Sequence, residues 1–152
     1  MTRQTYQKNH NPLRFQDGYP VHWFSEASLR ELCERAGYQY SWKRFRPQVV
    51  VDGLPANYEH QVAEGILDTV PFSDPKPCDR CAIPSVDPEA GIVTGPDPIT
   101  VLRGYKGWLD REGKRKFIFG ENMLPLDQGS IAVGDSLTVV KLRDPPLAYG
   151  PA

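Results

Sequence analysis

Proline and glycine interrupt this chain so often, at 15 and 13 of its 152 residues, that it must be built from short elements joined by many turns. Against that background one stretch reads as a full helix. Ser25 is placed to cap it, because its hydroxyl can accept from an exposed amide of the first turn. Glu26 follows at the positive end of the helix dipole. Leu29, Leu32, Cys33 and Ala36 recur at the spacing of a single apolar face, and Gly37 supplies the stop. The spacing predicts a helix over Glu26–Ala36 with Cys33 packed against a core.

Most other patterned segments read as extended. Arg44 to Val51 is β-rich and ends at the turn signal Asp52-Gly53. Period two places Phe45, Val49 and Val51 on one face and Arg44, Arg46 and Gln48 on the other. Pro47 puts this strand at an edge or beside a bulge. Gly65–Phe72 and Lys116–Phe119 are expected to be extended, and Ile92–Thr94 a strand edge after a turn at Asp87–Gly91. Gly129–Leu142 alternates through Ile131, Val133, Leu137 and Val139, with Gly134-Asp135 between, which predicts two strands around a tight turn. Pro98–Tyr105 fits one short helix capped by Asp97, with proline at its first position. The Asp17-Gly18 pair signals a turn. Residues 1–12 and 143–152 read as tails, leaving one domain over 13–142. Many short strands, one good helix and no strand–helix repeat predict a mainly β fold, a barrel or sandwich.

Composition narrows the function classes. A net charge of −1 gives no global field for collecting nucleic acid. The short basic clusters Lys43-Arg44-Arg46 and Lys114-Arg115-Lys116 fit solvated surface. No apolar run approaches the ~20 residues of a membrane span, and Met1–Gln4 has no apolar leader. We expect neither a nucleic-acid nor a membrane partner. Three cysteines, only two of them close together, point away from a disulfide framework and towards a reducing, cytoplasmic setting.

Chemistry concentrates at Cys78-Asp79-Arg80-Cys81. A structural zinc site needs four ligands, but there is a single cysteine pair, and His10, His22 and His60 are scattered. A thioredoxin-like redox pair needs a strand–helix turn in a βαβ context, whereas Ile83-Pro84 and β-rich surroundings follow here. Two thiols packed in a loop is the plainest reading of the pattern. If Lys76 and Arg80 also flank the pair in space, they favour thiolate, a soft ligand suited to a transition metal. The residues by themselves stop at a thiolate-capable site with the metal unspecified.

The stretch Lys76-Pro77-Cys78-Asp79-Arg80-Cys81 through Val86-Asp87-Pro88-Glu89-Ala90-Gly91 closely resembles the K-P-C-x-R-C…V-D-P-x-x-G signature of MOSC domains. Arg44-Phe45-Arg46-Pro47 through Gly53 resembles the family's upstream R-F-R-P stretch. Phe15–Val21, Ser25–Leu29, Phe119–Asn122 and Gly129–Asp135 continue the likeness in order, so that it covers about 13–142. The nearest subfamily looks like the amidoxime-reducing component and its bacterial relatives. Two positions depart from the pattern: Gln48 stands where the family usually has Asn, and His60 where it commonly has Asp. Relatives also carry an N-terminal β domain that contributes cofactor contacts, which these 152 residues do not include.

The resemblance implies a MOSC-type β-barrel with a few short helices that binds molybdenum cofactor, a molybdopterin. It implies Cys81 as metal ligand and centre of catalysis, Asp79 and Arg80 along the cofactor, and Arg46 on the pterin phosphate, a role that guanidinium geometry suits. Asn122 either orients a backbone loop or faces the pocket. Cys78 and Asp87 match family positions that can be structural, Asp87 by an Asx-type turn. The implied function is a molybdenum-dependent oxidoreductase that reduces small N-hydroxylated compounds with electrons from a separate flavin or iron–sulfur donor. A carrier or transfer domain for sulfurated cofactor, or a truncated domain without cofactor, are the alternatives.

Overall fold

The computed structural model describes residues 19–110 and 112–145, without the side chain of Trp108. The readings of the N-terminal tail, of the Asp17-Gly18 turn and of residues 146–152 lie outside it. Along the described chain run β1 (Val21–Ser25), α1 (Glu26–Ala36), β2 (Val49–Val51), β3 (Val62–Leu67), β4 (Val70–Asp79), α2 (Pro98–Arg103), β5 (Gly107–Leu109), β6 (Arg115–Pro125) and β7 (Leu137–Leu142), with 3-10 turns at Trp42–Phe45, Tyr58–Gln61 and Ile83–Ser85. The mainly β fold expected from the sequence is present as a curled half-barrel. Its strand path is β2-β1-β6-β4-β3-β7, with β5 paired to β6. No helix among the described residues is long and apolar enough to cross a membrane.

Helix α1 has the predicted bounds. The Ser25 hydroxyl accepts from the Ser28 amide, and Gly37 ends the helix in the left-handed region at φ 61°. Asp97 caps α2 by accepting from the amides of Ile99 and Thr100. Because α1 carries the chain across the sheet, β2 returns parallel to β1, whereas the other pairings are antiparallel. One sheet face packs on the helices through Phe24, Leu32, Cys33, Phe45, Leu102 and Phe119. The other encloses Trp23, Val62, Val70, Phe72 and Met123.

Two expectations give way. Arg44–Val51 is not one strand. Ser41 caps a 3-10 turn over Trp42–Phe45, Arg46 follows at φ 53°, and only Val49–Val51 joins the sheet. The reason is Arg44, which is 2% exposed rather than on an outer face. Its guanidinium donates to the carbonyls of Pro84, Ser85 and Thr94 at 3.4, 3.2 and 3.0 Å. It also reaches the Asp87 carboxylate at 3.2 Å and the Thr94 hydroxyl, five acceptors that an extended backbone would leave behind. Similarly, Gly129–Leu142 forms one strand, not two. Asp135 accepts from the Ala132 amide at 2.6 Å and folds the preceding residues into a turn. Ile131 and Val133 consequently stay exposed.

Candidate active site

The cysteine motif lies where β4 leaves the sheet. Pairing with β6 runs Lys76 to Asn122 and Pro77 to Glu121, then jumps to Asp79 and Ile118. Two residues of β6, Phe119 and Gly120, thus oppose the single β4 residue Cys78, a bulge of the kind that re-aims side chains. Gly120 sits inside it at φ 76°, where an added Cβ would fall 2.4 Å from His22 Nε2. Only glycine tolerates both that backbone and that contact.

Past the bulge the four residues alternate. Cys78 turns inward: Arg80 donates to its Sγ at 3.0 Å, and the Asn122 amide is a second partner. Arg80 also turns inward. Its other terminal nitrogen donates to the Phe45 carbonyl at 3.0 Å, its guanidinium lies over the Phe45 ring at 5.6 Å, and its amide donates to the Phe117 carbonyl. Asp79 points outward and pairs with Lys116 at 3.2 Å. Cys81 is a free, exposed thiol. Of the two flanking cations expected to favour thiolate, Arg80 reaches Cys78 while Lys76 lies over the Tyr19 ring, and at Cys78 the expectation is overruled in energy. Burial pushes that thiol up by more than Arg80 and Asn122 bring it down, since desolvation disfavours the charged form.

Arg46 is exposed and its side chain has no ion-pair partner among the described residues. It ends the 3-10 turn, with its own amide donating to the Lys43 carbonyl, so the adjacent Phe45 carbonyl that receives Arg80 is fixed relative to it. Beneath them lies His22. Its Nε2 is 3.1 Å from the Phe119 carbonyl, and the backbone of Phe45 and Arg46 meets the same ring. Burial first, and Arg80 second, hold this imidazole down to about 3, hence neutral. Among the predicted residues, Cys78, Arg80 and Asn122 therefore form one hydrogen-bonded group tied to the backbone beside Arg46. Asp79 and Cys81 stand on its outer side, and no hydrogen bond or ion pair joins Arg46 to Cys81 among the described residues.

The loop after Cys81 is rigid for a separate reason. Asp87 Oδ1 accepts from the amides of Glu89 and Ala90 at 2.9 and 3.1 Å, the Asx-type turn anticipated from Asp87-Pro88, and Arg44 clasps the loop from below.

A second polar group escaped sequence reasoning altogether. Glu121, fully buried, shares a hydrogen bond with His60 Nδ1 at 2.7 Å and pairs with Arg143 at 2.9 Å. Glu59, also fully buried, accepts twice from the Ser28 hydroxyl at 2.8 and 2.9 Å and lies 3.8 Å from Lys106 Nζ. Burial pushes the Glu121 carboxyl up to about 8 and lowers Lys106 and His60. The partners are 61 residues apart in the His60–Glu121 pair, so no local spacing announces them. The one hint was His60 itself, at a position where aspartate was expected.

Comparison with known proteins accords with this geometry. The family model described as "MOSC domain" matches residues 10–138. The chain is 31% identical over 136 residues to mitochondrial amidoxime reducing component 2 of Rattus norvegicus, covering 87% of this chain and 40% of that protein. It is 29% identical over 126 residues to mitochondrial amidoxime-reducing component 1 of Homo sapiens, covering 81% and 37%. The Mus musculus protein of the same name is 31% identical over 127 residues, with the same two shares. The chain thus spans about two-fifths of the length of these curated relatives.

Proposed function

The chain belongs to the MOSC domain family, and on that premise we propose that it holds a molybdenum–pterin cofactor through Cys81 and serves the reduction of small N-hydroxylated compounds. The observation that carries this reading is the inequality of the two thiols. Cys78 is already occupied by Arg80 and Asn122, while Cys81 is exposed and has no side-chain hydrogen bond among the described residues.

The donor set fits such a group. No cluster of three or more His, Cys, Asp or Glu side chains suited to a metal ion occurs among the described residues. A bare ion such as zinc would lack its ligands here. A metal that arrives with a pterin needs one soft protein thiolate and a cation for its phosphate. Cys81 supplies the first, and Arg46, exposed and without an ion-pair partner among the described residues, the second, with a planar fork suited to phosphate oxygens. Asp79 and Arg80 flank the same edge, Asp79 through its outward face and Arg80 through the backbone it fixes. Asn122 acts from below, on Cys78. When bound, the cofactor would supply the redox chemistry that breaks the N–O bond, with electrons from a separate flavin or iron–sulfur donor. The protein's share is to bind, orient and limit access to it.

Expression in a host that makes the cofactor, followed by metal and pterin analysis, tests this. Wild type is expected to retain both. Cys81→Ser is expected to lose molybdenum with an unchanged melting temperature, because the residue is exposed. Metal retained equally by Cys81→Ser, or no molybdenum and pterin in wild type, refutes the reading. Bound cofactor without reduction of a hydroxylamine by an artificial donor would leave a carrier instead of a reductase.

A further inference from the structure

We infer that Cys78 is a positioning residue. Its sulfur is the seat of the Arg80 guanidinium, and Arg80 in turn fixes the distance between the strand end that carries Cys81 and the turn that carries Arg46. This rests on the reading of Cys81 and Arg46 as cofactor residues. The Arg80 side chain spans two elements that nothing else in the motif joins. One terminal nitrogen donates to Cys78 Sγ at 3.0 Å and the other to the Phe45 carbonyl at 3.0 Å, with the Phe45 ring beneath.

Each end of this brace is itself held. Cys78 is the residue of β4 that falls between the registered pairs Pro77–Glu121 and Asp79–Ile118, so ladder pairing leaves its place to be set by other means. The Asn122 amide provides one, as a second partner of the sulfur. At the other end, the Phe45 backbone is fixed by the capped 3-10 turn and by His22. A sulfur with two donors is a weak acceptor used twice, and it lets a cation stay inside the bulge without a carboxylate. The inward cysteine of the pair thus acts through Arg80 and not on the metal.

A guanidinium bonded at both terminal nitrogens rotates slowly about its Cζ–Nε bond, so Arg80 should give resolved terminal N–H signals in 15N NMR of the chain without cofactor. Cys78→Val fills similar space and accepts nothing. Cys78→Ser is smaller and accepts from both donors. The resolved Arg80 signals are expected to be lost in the valine variant and kept in the serine variant, with both folded by amide spectra. Cys78→Ala replaces valine if the branched side chain does not fit. In the cofactor-making host, the non-accepting variant is expected to bind cofactor about 10- to 100-fold more weakly, the range seen when the partner of a ligand-bearing group is removed, and serine is expected to restore it. Resolved Arg80 signals in the non-accepting variant, or serine behaving as valine does, would overturn the inference. The NMR arm needs no cofactor, so a wild type that fails to load molybdenum would sink the functional reading while this one is still decided.

Discussion

Replacing Glu121 by glutamine should remove a pH dependence that the buried cluster imposes on stability. In an unfolded chain this carboxyl ionises near 4.5, and in the folded chain burial raises it to about 8. Between those values the folded state holds a proton that the unfolded state has released. Stability is therefore fully present below 4.5 and declines as pH rises through about 8, with a limiting slope of ~1.4 kcal/mol per pH unit. The two buried histidines act with the opposite sign, and lower down. Folding lowers His22 and His60, so their contribution is lost as pH falls below the ordinary histidine value of 6.5. Lys106 is lowered from 10.5, so its contribution is likewise lost as pH falls below 10.5 and opposes that of Glu121. Lys106 is common to wild type and to the glutamine variant, so from pH 6.5 to 8 the wild-type stability minus that of Glu121→Gln is expected to fall by ~2 kcal/mol. Glu121→Gln keeps an oxygen that can accept from His60 and Arg143 but cannot ionise, so its curve should lack the Glu121 decline. Urea unfolding at closely spaced pH values, with constant m, measures both curves. Parallel curves for wild type and the glutamine variant would refute the assignment of the proton to Glu121.

Arg44→Met should cost ~3 kcal/mol or more in urea unfolding, because several buried acceptors lose their only charged donor. It should also speed proteolysis within residues 84–94, and unchanged cleavage would argue against the clasp. Gly120→Ala should lower stability by at least ~1–3 kcal/mol, through its positive φ and the clash with His22. A melting temperature equal to that of wild type would show that the bulge relaxes easily.

What the sequence made legible was local. The bounds of α1 follow from a cap, a periodic face and a stop glycine within 13 residues, and Asp97-Pro98 does the same for α2. The order and identity of the motif residues around Cys81 were equally plain. The segment at Arg44 failed because its conformation is decided by acceptors 40 to 50 residues away, which alternation cannot express. Ile131 and Val133 alternate as a strand would, yet a single aspartate turns the backbone aside. At Cys78 the sequence offered neighbouring charges but not burial, and burial is the larger effect.

The contacts of Arg143 bear on how the chain is made. This residue donates to the carbonyls of His60 and Pro75 at 3.1 and 3.0 Å, its amide to that of Gln61, and its guanidinium pairs with Glu121. It follows β7, the last strand of the path, yet it joins β4, β6 and the turn before β3. During synthesis at about 5–20 residues per second, the carbonyls of His60, Gln61 and Pro75 wait for this residue on the order of seconds. Throughout that interval the strands that precede it can pair, but the carbonyls it joins lack these donors. Docking of residue 143 is therefore the last of these contacts to form in vectorial folding, and nascent chains arrested before it should be cleaved faster by protease.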